Sequence, residues 1–284
     1  MSKILVIGGQ NIDINAKGDT HIMHESNLGN ISFAYGGVSG NVVQNLAHLG
    51  VDVTFMTVFG NDTFGDNAKA YYKSLGVDIS LSKDTNHPNN TYLSVLDQNS
   101  DLLIAVNDMR SMEALDREHI KQYQSLIEAF DVVFIDTNLS EDTLACLFKE
   151  IHLNYVIIDA VSGLKVTKLK PYIEHISCLK CTIEEAAKLS DIGPLDLKEK
   201  GLTELIITNK NQPVTYFSNN HQKEYTPYPI IDIVGSSGAG DAFISGFIYG
   251  KLQQAPIDQA MDYALRAAYQ TLLVKESVNK DLKL

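Results

Sequence analysis

Short apolar runs alternate along most of the chain with longer segments whose apolar residues are three and four apart. The short runs predict buried strands, and the longer segments predict helices. Strands are predicted at Lys3–Ile7, Val53–Phe59, Asp131–Ile135, Tyr155–Ile158, Ile176–Lys180 and Glu204–Ile207. Helices are predicted from Val38 to Gly50, between Gly65 and Leu75, and over Met112–Ala129, Ala239–Leu252 and Ile257–Leu273. This alternation favours an α/β fold with a mainly parallel sheet, which binds ligands at the carboxyl ends of its strands.

One stretch departs from this alternation. Thr91–Asp97, a polar tip and Leu102–Asn107 together predict a β-hairpin. With the polar segment that follows Asp13, the hairpin predicts a small sheet that covers the substrate as a lid, over approximately residues 12–35 and 91–108. A lid of this kind keeps water away from the reacting group. A further hypothesis is that its uncovered edges form a homodimer surface.

Composition and charge narrow the classes of function. The 284 residues are consistent with one domain over residues 1–284, and the formal charge of −12 argues against a nucleic-acid polymer or an anionic membrane as partner. The few cysteines form no disulfide framework, and no run is long enough to span a bilayer, so a cytoplasmic location is expected. Cys178 and Cys181 have the spacing of half a zinc site or a redox pair, but core positions are favoured.

The stretch Asp232–Phe243 carries the main chemical signal. An apolar strand end runs into a turn of small residues, and a helix with Asp241 in its first turn follows. The free N–H groups and dipole of such a helix start can bind phosphate, while Asp241 takes a proton from an attacking hydroxyl. The dipole is also expected to favour the ionised carboxylate. Taken alone, the stretch is explained equally well as a purely structural glycine-rich turn, in which the Asp only helps to start the helix.

Further polar residues follow the predicted strands and are expected at one edge of the sheet: Asn11, Asp13, Asn138, Asp159, Glu185, Thr208 and Asp241. Asn11 and Asp13 share a face of an extended segment and suit two sugar hydroxyls, although an Asx turn is as common. Gly37 and Asn41 mark the start of a helix. This helix start is expected either to bind a hydroxyl group of a small molecule or to serve only as a helix cap. The turn at residues 8–9 lacks the third glycine of a dinucleotide-binding motif.

Taken together, these motifs resemble the ribokinase-like family of sugar and nucleoside kinases over essentially the whole chain. The most specific is Gly238-Ala239-Gly240-Asp241, and Gly36-Gly37 with Asn41 and Thr182-x-x-Glu185 are similar to two further family signatures. The resemblance implies a three-layer α/β/α core with a mainly parallel central sheet and a β-sheet lid. It also implies an ATP-dependent and magnesium-dependent transfer of phosphate to a hydroxyl group of a small molecule.

The resemblance also implies roles for individual residues. Asp241 is the expected base, with Gly238, Ala239 and Gly240 as the anion hole and Glu185 holding magnesium through water. The expected substrate-binding residues are Asn11, Asp13, Gly37, Asn41, Thr91, Asn107 and Asn138. The expected nucleotide-binding residues are Thr182, Glu185, Thr208, Ser237, Gly238, Gly240 and Asn279. Asp232 and Ile233 are the expected potassium site. The chain departs from the family at Thr182, where asparagine is usual, at Ser237, where threonine is usual, and after Thr208, where glycines are usual.

Within the family, three segments are similar to the branch that phosphorylates the ribose 5′-hydroxyl of the C-nucleoside pseudouridine. They are Ala105–Met109, Asp136–Leu144 and Asp159–Ser162. Ribose, adenosine and inosine remain alternative acceptors, because the residues of the lid decide the acceptor and the spacing of motifs does not determine their chemistry. A nucleoside-binding sensor without catalysis is a second alternative, and the presence of both Asp241 and Glu185 favours catalysis over it.

Overall fold

The computed structural model describes residues 3–18, 22–98, 101–190, 193–218, 221–229 and 232–284. Its main sheet has eight strands in the order β14-β13-β12-β11-β10-β9-β1-β4, in which β13 pairs antiparallel with both β12 and β14 and all other pairs are parallel. The strands of this sheet are β1 (Ile4–Ile7), β4 (Val53–Met56), β9 (Val132–Asp136), β10 (Val156–Asp159), β11 (Cys178–Thr182), β12 (Glu204–Thr208), β13 (Val214–Ser218) and β14 (His221–Tyr225). The predicted α/β architecture is confirmed.

Helices cover both faces of this sheet. Those on one face are α1 (Val38–His48), α2 (Thr63–Ser74), α8 (Ala239–Leu252) and α9 (Ile257–Leu272). Those on the other are α3 (Arg117–Gln122), α4 (Gln124–Ile127), α5 (Glu141–Glu150), α6 (Ile183–Leu189) and α7 (Pro194–Glu199). Two 3-10 segments, Arg110–Ala114 and Val166–His175, join this second layer. Among the described residues, no helix is both long and apolar enough to cross a bilayer.

Two predicted elements are interrupted. The single helix expected over Met112–Ala129 is instead the first 3-10 segment followed by α3 and α4. The break comes at Asp116, whose backbone is extended and whose carboxylate accepts the His119 N–H, so a new helix begins there. The strand expected over Val53–Phe59 divides after Met56, because β5 (Val58–Phe59) leaves the main sheet and pairs with β6 (Lys83–Asp84).

The small second sheet confirms the predicted hairpin and its pairing with the segment after Asp13, and its role as a lid stays a prediction. Its strands are β2 (Asn11–Gly18), β3 (Gly29–Gly36), β7 (Thr91–Leu96) and β8 (Leu102–Asp108), in the order β3-β2-β7-β8. Its register places Asp13 beside Ala34 and Tyr92, and Tyr92 beside Asn107, so these side chains share one face. Ile14, Phe33, Leu93 and Val106 occupy the neighbouring row and point to the other face. The lid therefore has one mainly polar face and one apolar face.

The cysteines of β11 lie on the two sides of the main sheet. Cys178 packs in the core cluster beneath α1 and α8, whereas Cys181 packs in the cluster beneath α5 and α6. Both are fully buried. Their spacing thus follows from strand alternation between two cores, which confirms the preference for core positions.

Asp136, at the end of β9, connects the segment that follows β1 with the first turn of α1. Its carboxylate accepts hydrogen bonds from the backbone N–H groups of Gly9 (2.9 Å) and Asn138 (2.8 Å) and from the Ser39 hydroxyl (2.7 Å). The side chain is fully buried, and burial raises its pKa. Since a buried donor without an acceptor is costly, the three neighbouring segments depend on this one carboxylate.

The variant Asp136→Ala tests that dependence. We expect it to lower the free energy of unfolding by about 3 kcal/mol or more, because several buried donors lose their acceptor. Urea denaturation followed by circular dichroism measures the change. Asp131→Ala is the matched control, since Asp131 precedes the same strand and accepts the Lys3 N–H at the surface; it should cost less than about 1 kcal/mol. Equal losses in the two variants would contradict the role of Asp136.

Candidate active site

The start of α8 is a turn that requires glycine. Gly238, at the N-cap, has a φ of +77°, and a Cβ atom added there would lie 1.9 Å from the carbonyl oxygen of Ser277. Glycine therefore lets the chain fold tightly against the segment after α9. The first N–H groups of α8, from Ala239 onward, have no acceptor within the helix and are available to an anion. The glycine turn and the N–H groups that follow it therefore form a backbone arrangement that is suited to binding an anion.

Asp241, in the first turn of α8, meets the start of α1. Its Oδ2 atom accepts a hydrogen bond of 2.7 Å from Nδ2 of Asn41. Two motifs that are 200 residues apart in the sequence are thus joined side chain to side chain. Asn41 was expected to contact ribose; the structure places its amide on the carboxylate of Asp241. This contact fixes the carboxylate between the starts of α1 and α8.

The environment of Asp241 raises the pKa of its carboxyl group to a value near neutral pH. Burial and, secondly, the negative charge of Asp159 raise its pKa to about 7, while the Asn41 hydrogen bond and the charge of Lys180 oppose the rise. The expectation that the α8 dipole would favour the ionised form is thus corrected, because the loss of hydration outweighs the dipole. A carboxylate with a pKa near the working pH is well matched to accepting a proton.

Lys180 is a central residue that the sequence did not reveal. Asp136, Asp159 and Lys180 form one row across the adjacent strands β9, β10 and β11. The Lys180 Nζ atom donates to Asp159 Oδ2 at 2.8 Å and lies 3.0 Å from the position that a Cβ of Gly240 would take. Burial alone would lower the pKa of Lys180, but the charge of Asp159 and the hydrogen bond to it outweigh burial and raise it. A buried ammonium therefore borders the start of α8.

The predicted sugar-binding residues lie together where β1 passes into β2. Asn11 Nδ2 donates to Asp13 Oδ1 at 2.5 Å, and burial raises the pKa of Asp13 to about 6. Gly36 and Gly37 pack directly on this pair: Cβ atoms there would lie 2.2 Å from Asp13 Oδ2 and 2.6 Å from Asn11 Oδ1. The two glycines leave no room for side chains, so they press the backbone against the polar pair. Asn11 and Asp13 belong to a strand, which excludes the alternative of an Asx turn.

Three other predicted substrate residues have different positions. The Asn138 Nδ2 atom lies 3.2 Å from the Cβ position of Gly9, beside the Met109 side chain that follows the lid. Asn107 lies on the same lid face as Asp13. Thr91 pairs with Ile12 and Asp108, which places it on the opposite face, and its hydroxyl donates to the Asn89 carbonyl. The structure therefore groups Asn107 and Asn138 with the sugar-binding pair but not Thr91.

The predicted nucleotide residues line the ends of β11 and β12. Thr182 and Glu185 form a reciprocal capping box at the start of α6, in which Glu185 Oε2 accepts the Thr182 N–H at 2.8 Å. Thr208 is paired with Thr182 in the sheet. Near the start of α8, the Ser237 hydroxyl accepts from Ser277. Asn279 is turned toward the C-terminal segment, where its amide bonds to Gln270 and the Asp281 N–H.

Glu185 is the residue that fits a magnesium ion. Its Oε1 atom has no hydrogen-bond partner among the described residues, while Oε2 is held by the helix start. A carboxylate oxygen of this kind is a suitable ligand for Mg²⁺, directly or through water. The spacing Thr182-x-x-Glu185 is that of a capping box. Threonine, which stands where asparagine is usual, can therefore cap α6 with its hydroxyl. The expected potassium residues, Asp232 and Ile233, are both exposed.

Comparison with known proteins assigns the class. The chain belongs to the pfkB family of carbohydrate kinases, whose profile matches residues 1–282. It is 27% identical to the pseudouridine kinase of Escherichia coli K12, over 99% of this chain and 94% of that protein. It is 25% identical to the guanosine-inosine kinase of Exiguobacterium acetylicum, over 98% and 96% of the two chains. The protein is thus a kinase whose acceptor is a hydroxyl group of a sugar or nucleoside.

Solved structures confirm the ribokinase-like fold. The ribokinase of Thermotoga maritima superposes with a TM-score of 0.89 at 18% identity, covering 99% of this chain and 97% of that one. An E. coli protein assigned as ribokinase II, solved with ATP and Mg²⁺, gives a TM-score of 0.85 at 19% identity, covering 98% and 94%. The central sheet, the helical layers and the lid are therefore arranged as in ribokinases.

The contact between Asn41 and Asp241 predicts a specific pH dependence. Since a base must be ionised, kcat/KM of the wild type should fall about tenfold per pH unit below pH 7. Asn41→Ala removes a donor that stabilises the carboxylate, so the acidic limb should move upward by about one pH unit. A pH profile of kcat/KM measures both effects.

Ser245→Ala is the matched control for this profile. The Ser245 hydroxyl donates to the backbone carbonyl of Asp241, not to its carboxylate, so its loss should leave the acidic limb in place. Asp13 titrates about one unit lower, and its contribution should be the same in all three proteins. An Asn41→Ala profile that overlays the wild type would show that Asn41 does not tune the base.

Proposed function

We propose that the protein is an ATP-dependent kinase that phosphorylates the 5′-hydroxyl of a nucleoside, and that pseudouridine is its acceptor. One observation carries the proposal. The Asp241 carboxylate, with a pKa of about 7, stands at the glycine-lined start of α8 beside the buried Lys180 ammonium. The proposed base and anion-binding N–H groups thus lie in the first turn of α8, and the Lys180 ammonium of β11 lies beside that turn. Phosphoryl transfer requires this combination of positioning and electrostatic stabilisation.

In this mechanism, each group has a separate task. Asp241 accepts the proton of the attacking hydroxyl, and Asn41 holds the carboxylate in line. The N–H groups of Gly238–Gly240 bind the oxygens of the transferred phosphate, where negative charge gathers. Lys180 adds positive charge beside Gly240 and remains charged because Asp159 holds it. The lid excludes water, which would otherwise compete with the acceptor hydroxyl.

ATP and magnesium are the proposed phosphate donor and metal. Thr182, Thr208 and Ser237 lie along the strand ends beside α8, and Glu185 has a free carboxylate oxygen for the metal. When bound, Mg²⁺ neutralises phosphate charge. Asp232 and Ile233, just before the α8 turn, are proposed to hold potassium. A cytoplasmic location is part of the same proposal, since ATP is the donor.

The choice of pseudouridine rests on similarity and on the acceptor pocket. Asn11 and Asp13 suit the two vicinal hydroxyls of a ribose, which all candidate acceptors share. The 27% identity to a pseudouridine kinase supports the C-nucleoside, whereas the 25% identity to a guanosine-inosine kinase keeps inosine as the alternative. An acceptor panel of pseudouridine, inosine, adenosine and ribose with labelled ATP distinguishes them.

Asp241→Asn is the decisive variant on that panel. We expect turnover with every acceptor to fall by about a hundredfold or more, because the amide cannot accept the proton. Nucleoside binding, measured by calorimetry, should change little, because Asn can still accept a bond from Asn41. Glu184→Gln, an exposed neighbour of Glu185, serves as the control and should retain turnover. Near-normal turnover by Asp241→Asn would refute the base, and wild-type binding without transfer would favour the sensor.

The apolar face of the lid is the proposed homodimer surface. It presents Ile31, Phe33, Ile104 and Val106, each more than half exposed. A contiguous apolar patch of this kind, turned away from the substrate face, is typical of a protein interface. A second copy of the chain supplies a matching apolar face, whereas the edge strands considered from the sequence offer only backbone groups. The face, rather than the edges, is therefore the surface that we propose to dimerise.

Light scattering coupled to size-exclusion chromatography tests this interface. The double variant Ile104→Lys with Val106→Lys should shift the protein from dimer to monomer, because facing charges cannot be buried unpaired. Leu126→Lys is the control, since Leu126 is equally exposed but lies on α4, away from the lid. A wild-type monomer, or a dimer that survives both lysines, would contradict the proposed surface.

A further inference from the structure

We propose that Lys165, held in place by Asn138, donates a hydrogen bond to a carbonyl oxygen of the acceptor's nucleobase and thereby selects oxo-bases. The inference deepens the proposed nucleoside kinase function and rests on it. Lys165 follows β10, in the loop before the second 3-10 segment. Lys165 lies outside the segments that the sequence analysis singled out, and the structure brings it to Asn138.

The position of Lys165 follows from a chain of contacts that starts at the sugar-binding pair. Gly9 lies two residues before Asn11, and the Asn138 side chain packs on it, with Nδ2 3.2 Å from the Cβ position. Lys165 Nζ in turn donates to Asn138 Oδ1 at 2.5 Å. Met109, which follows the lid hairpin, lies 2.9 Å from the same Cβ position. The ammonium therefore lies beside the ribose site, beneath the end of the lid.

The Lys165 ammonium has N–H groups that are available to a ligand. A lysine carries three N–H groups, and Asn138 is the only hydrogen-bond partner of Lys165 Nζ among the described residues. Within the same residues it has no carboxylate partner. Lys168, its neighbour, is engaged differently, because it donates to the backbone carbonyls of Thr137 and Leu139. Lys165 is thus the lysine that is free to bind a ligand at this end of the pocket.

The loop that carries Lys165 contains a strained residue, Val161, and is held by Asp159, which also binds Lys180. Val161 has a φ of +61°, which is costly for a β-branched residue and is retained where the surroundings impose it. Asp159 imposes it: Oδ1 accepts the Val161 N–H at 2.9 Å, while Oδ2 accepts from Lys180. Asp159 is therefore a positioning residue for two lysines, one at the phosphate and one at the acceptor.

The chemistry of an ammonium defines the ligand. It donates hydrogen bonds and accepts none, so its partner must be an acceptor such as a carbonyl oxygen. Uracil, the base of pseudouridine, carries two carbonyls, and hypoxanthine carries one. Adenine has an amino group where hypoxanthine has its carbonyl, and ribose has no base. Lys165 therefore favours pseudouridine over ribose, and inosine over adenosine.

The test measures kcat/KM for these four acceptors with wild type, Lys165→Met, Lys165→Arg and the control Lys170→Met. Lys170 lies on the same segment but is exposed. We expect Lys165→Met to lower the preference for pseudouridine over ribose by roughly tenfold to a hundredfold, the loss of one charge-assisted hydrogen bond. The change should appear chiefly in KM. Lys165→Arg should restore part of the preference, and Lys170→Met should leave it unchanged.

Ribose is the internal measure of folding and catalysis. If Lys165→Met slows ribose and pseudouridine equally, Lys165 only supports Asn138, and the inference is overturned. An unchanged preference overturns it too. A wild-type protein that transfers no phosphate instead overturns the kinase proposal, and calorimetric binding of the four acceptors then decides the role of Lys165. Equal binding by wild type and Lys165→Met, or no binding by either, would falsify it.

Discussion

The central constraint on this protein is that ionisable side chains are buried together at the place where an anion is to arrive. Asp136, Asp159, Lys180 and Asp241 lie along the carboxyl edge of the sheet, between the starts of α1 and α8. Three acids and one lysine would repel an incoming phosphate if all were ionised and free. Each acid is therefore held differently: Asp136 by N–H and hydroxyl donors, Asp159 by Lys180, and Asp241 by Asn41. The groups left to attract the phosphate in the proposed mechanism are the α8 N–H groups and the Lys180 ammonium.

This arrangement also explains why the pKa of Asp241, the proposed base, lies near neutrality. A helix start alone lowers the pKa of a carboxylate, as the sequence led us to expect. Asp241, however, shares a poorly hydrated pocket with Asp159, and the two effects together raise its pKa to about 7. Lys180 and Asn41 limit the rise, so the carboxylate can still lose its proton near neutrality. The pKa of Asp241, the proposed base, thus depends on residues from β10, β11 and α1, none of which adjoins it in the sequence.

The sequence predicted those parts of the site whose signal is local. Glycine at 238, the helix after it and Asp241 in the first turn all follow from backbone chemistry within a few residues, as does the hairpin of the lid. The sequence did not indicate Lys180 and Lys165, to which we assign roles on structural grounds, because a single lysine in a strand or a loop has no spacing that marks it. The outward face of Thr91 depends on the register between β2 and β7, and the break before α3 on a single capping contact at Asp116. These are properties of the assembled chain.

Asp159 shows what such long-range dependence achieves. One carboxylate oxygen holds Lys180, at the proposed phosphate end of the site, and the other holds the strained Val161, which leads to Lys165 at the proposed acceptor end. The two lysines lie on different elements and are proposed to contact different ligands, yet the positions of both depend on Asp159. A displacement of β10 would therefore move the phosphate contact and the acceptor contact together. Because in-line transfer requires donor and acceptor to be aligned within a fraction of an ångström, anchoring both ends to one rigid strand is a direct way to maintain that alignment.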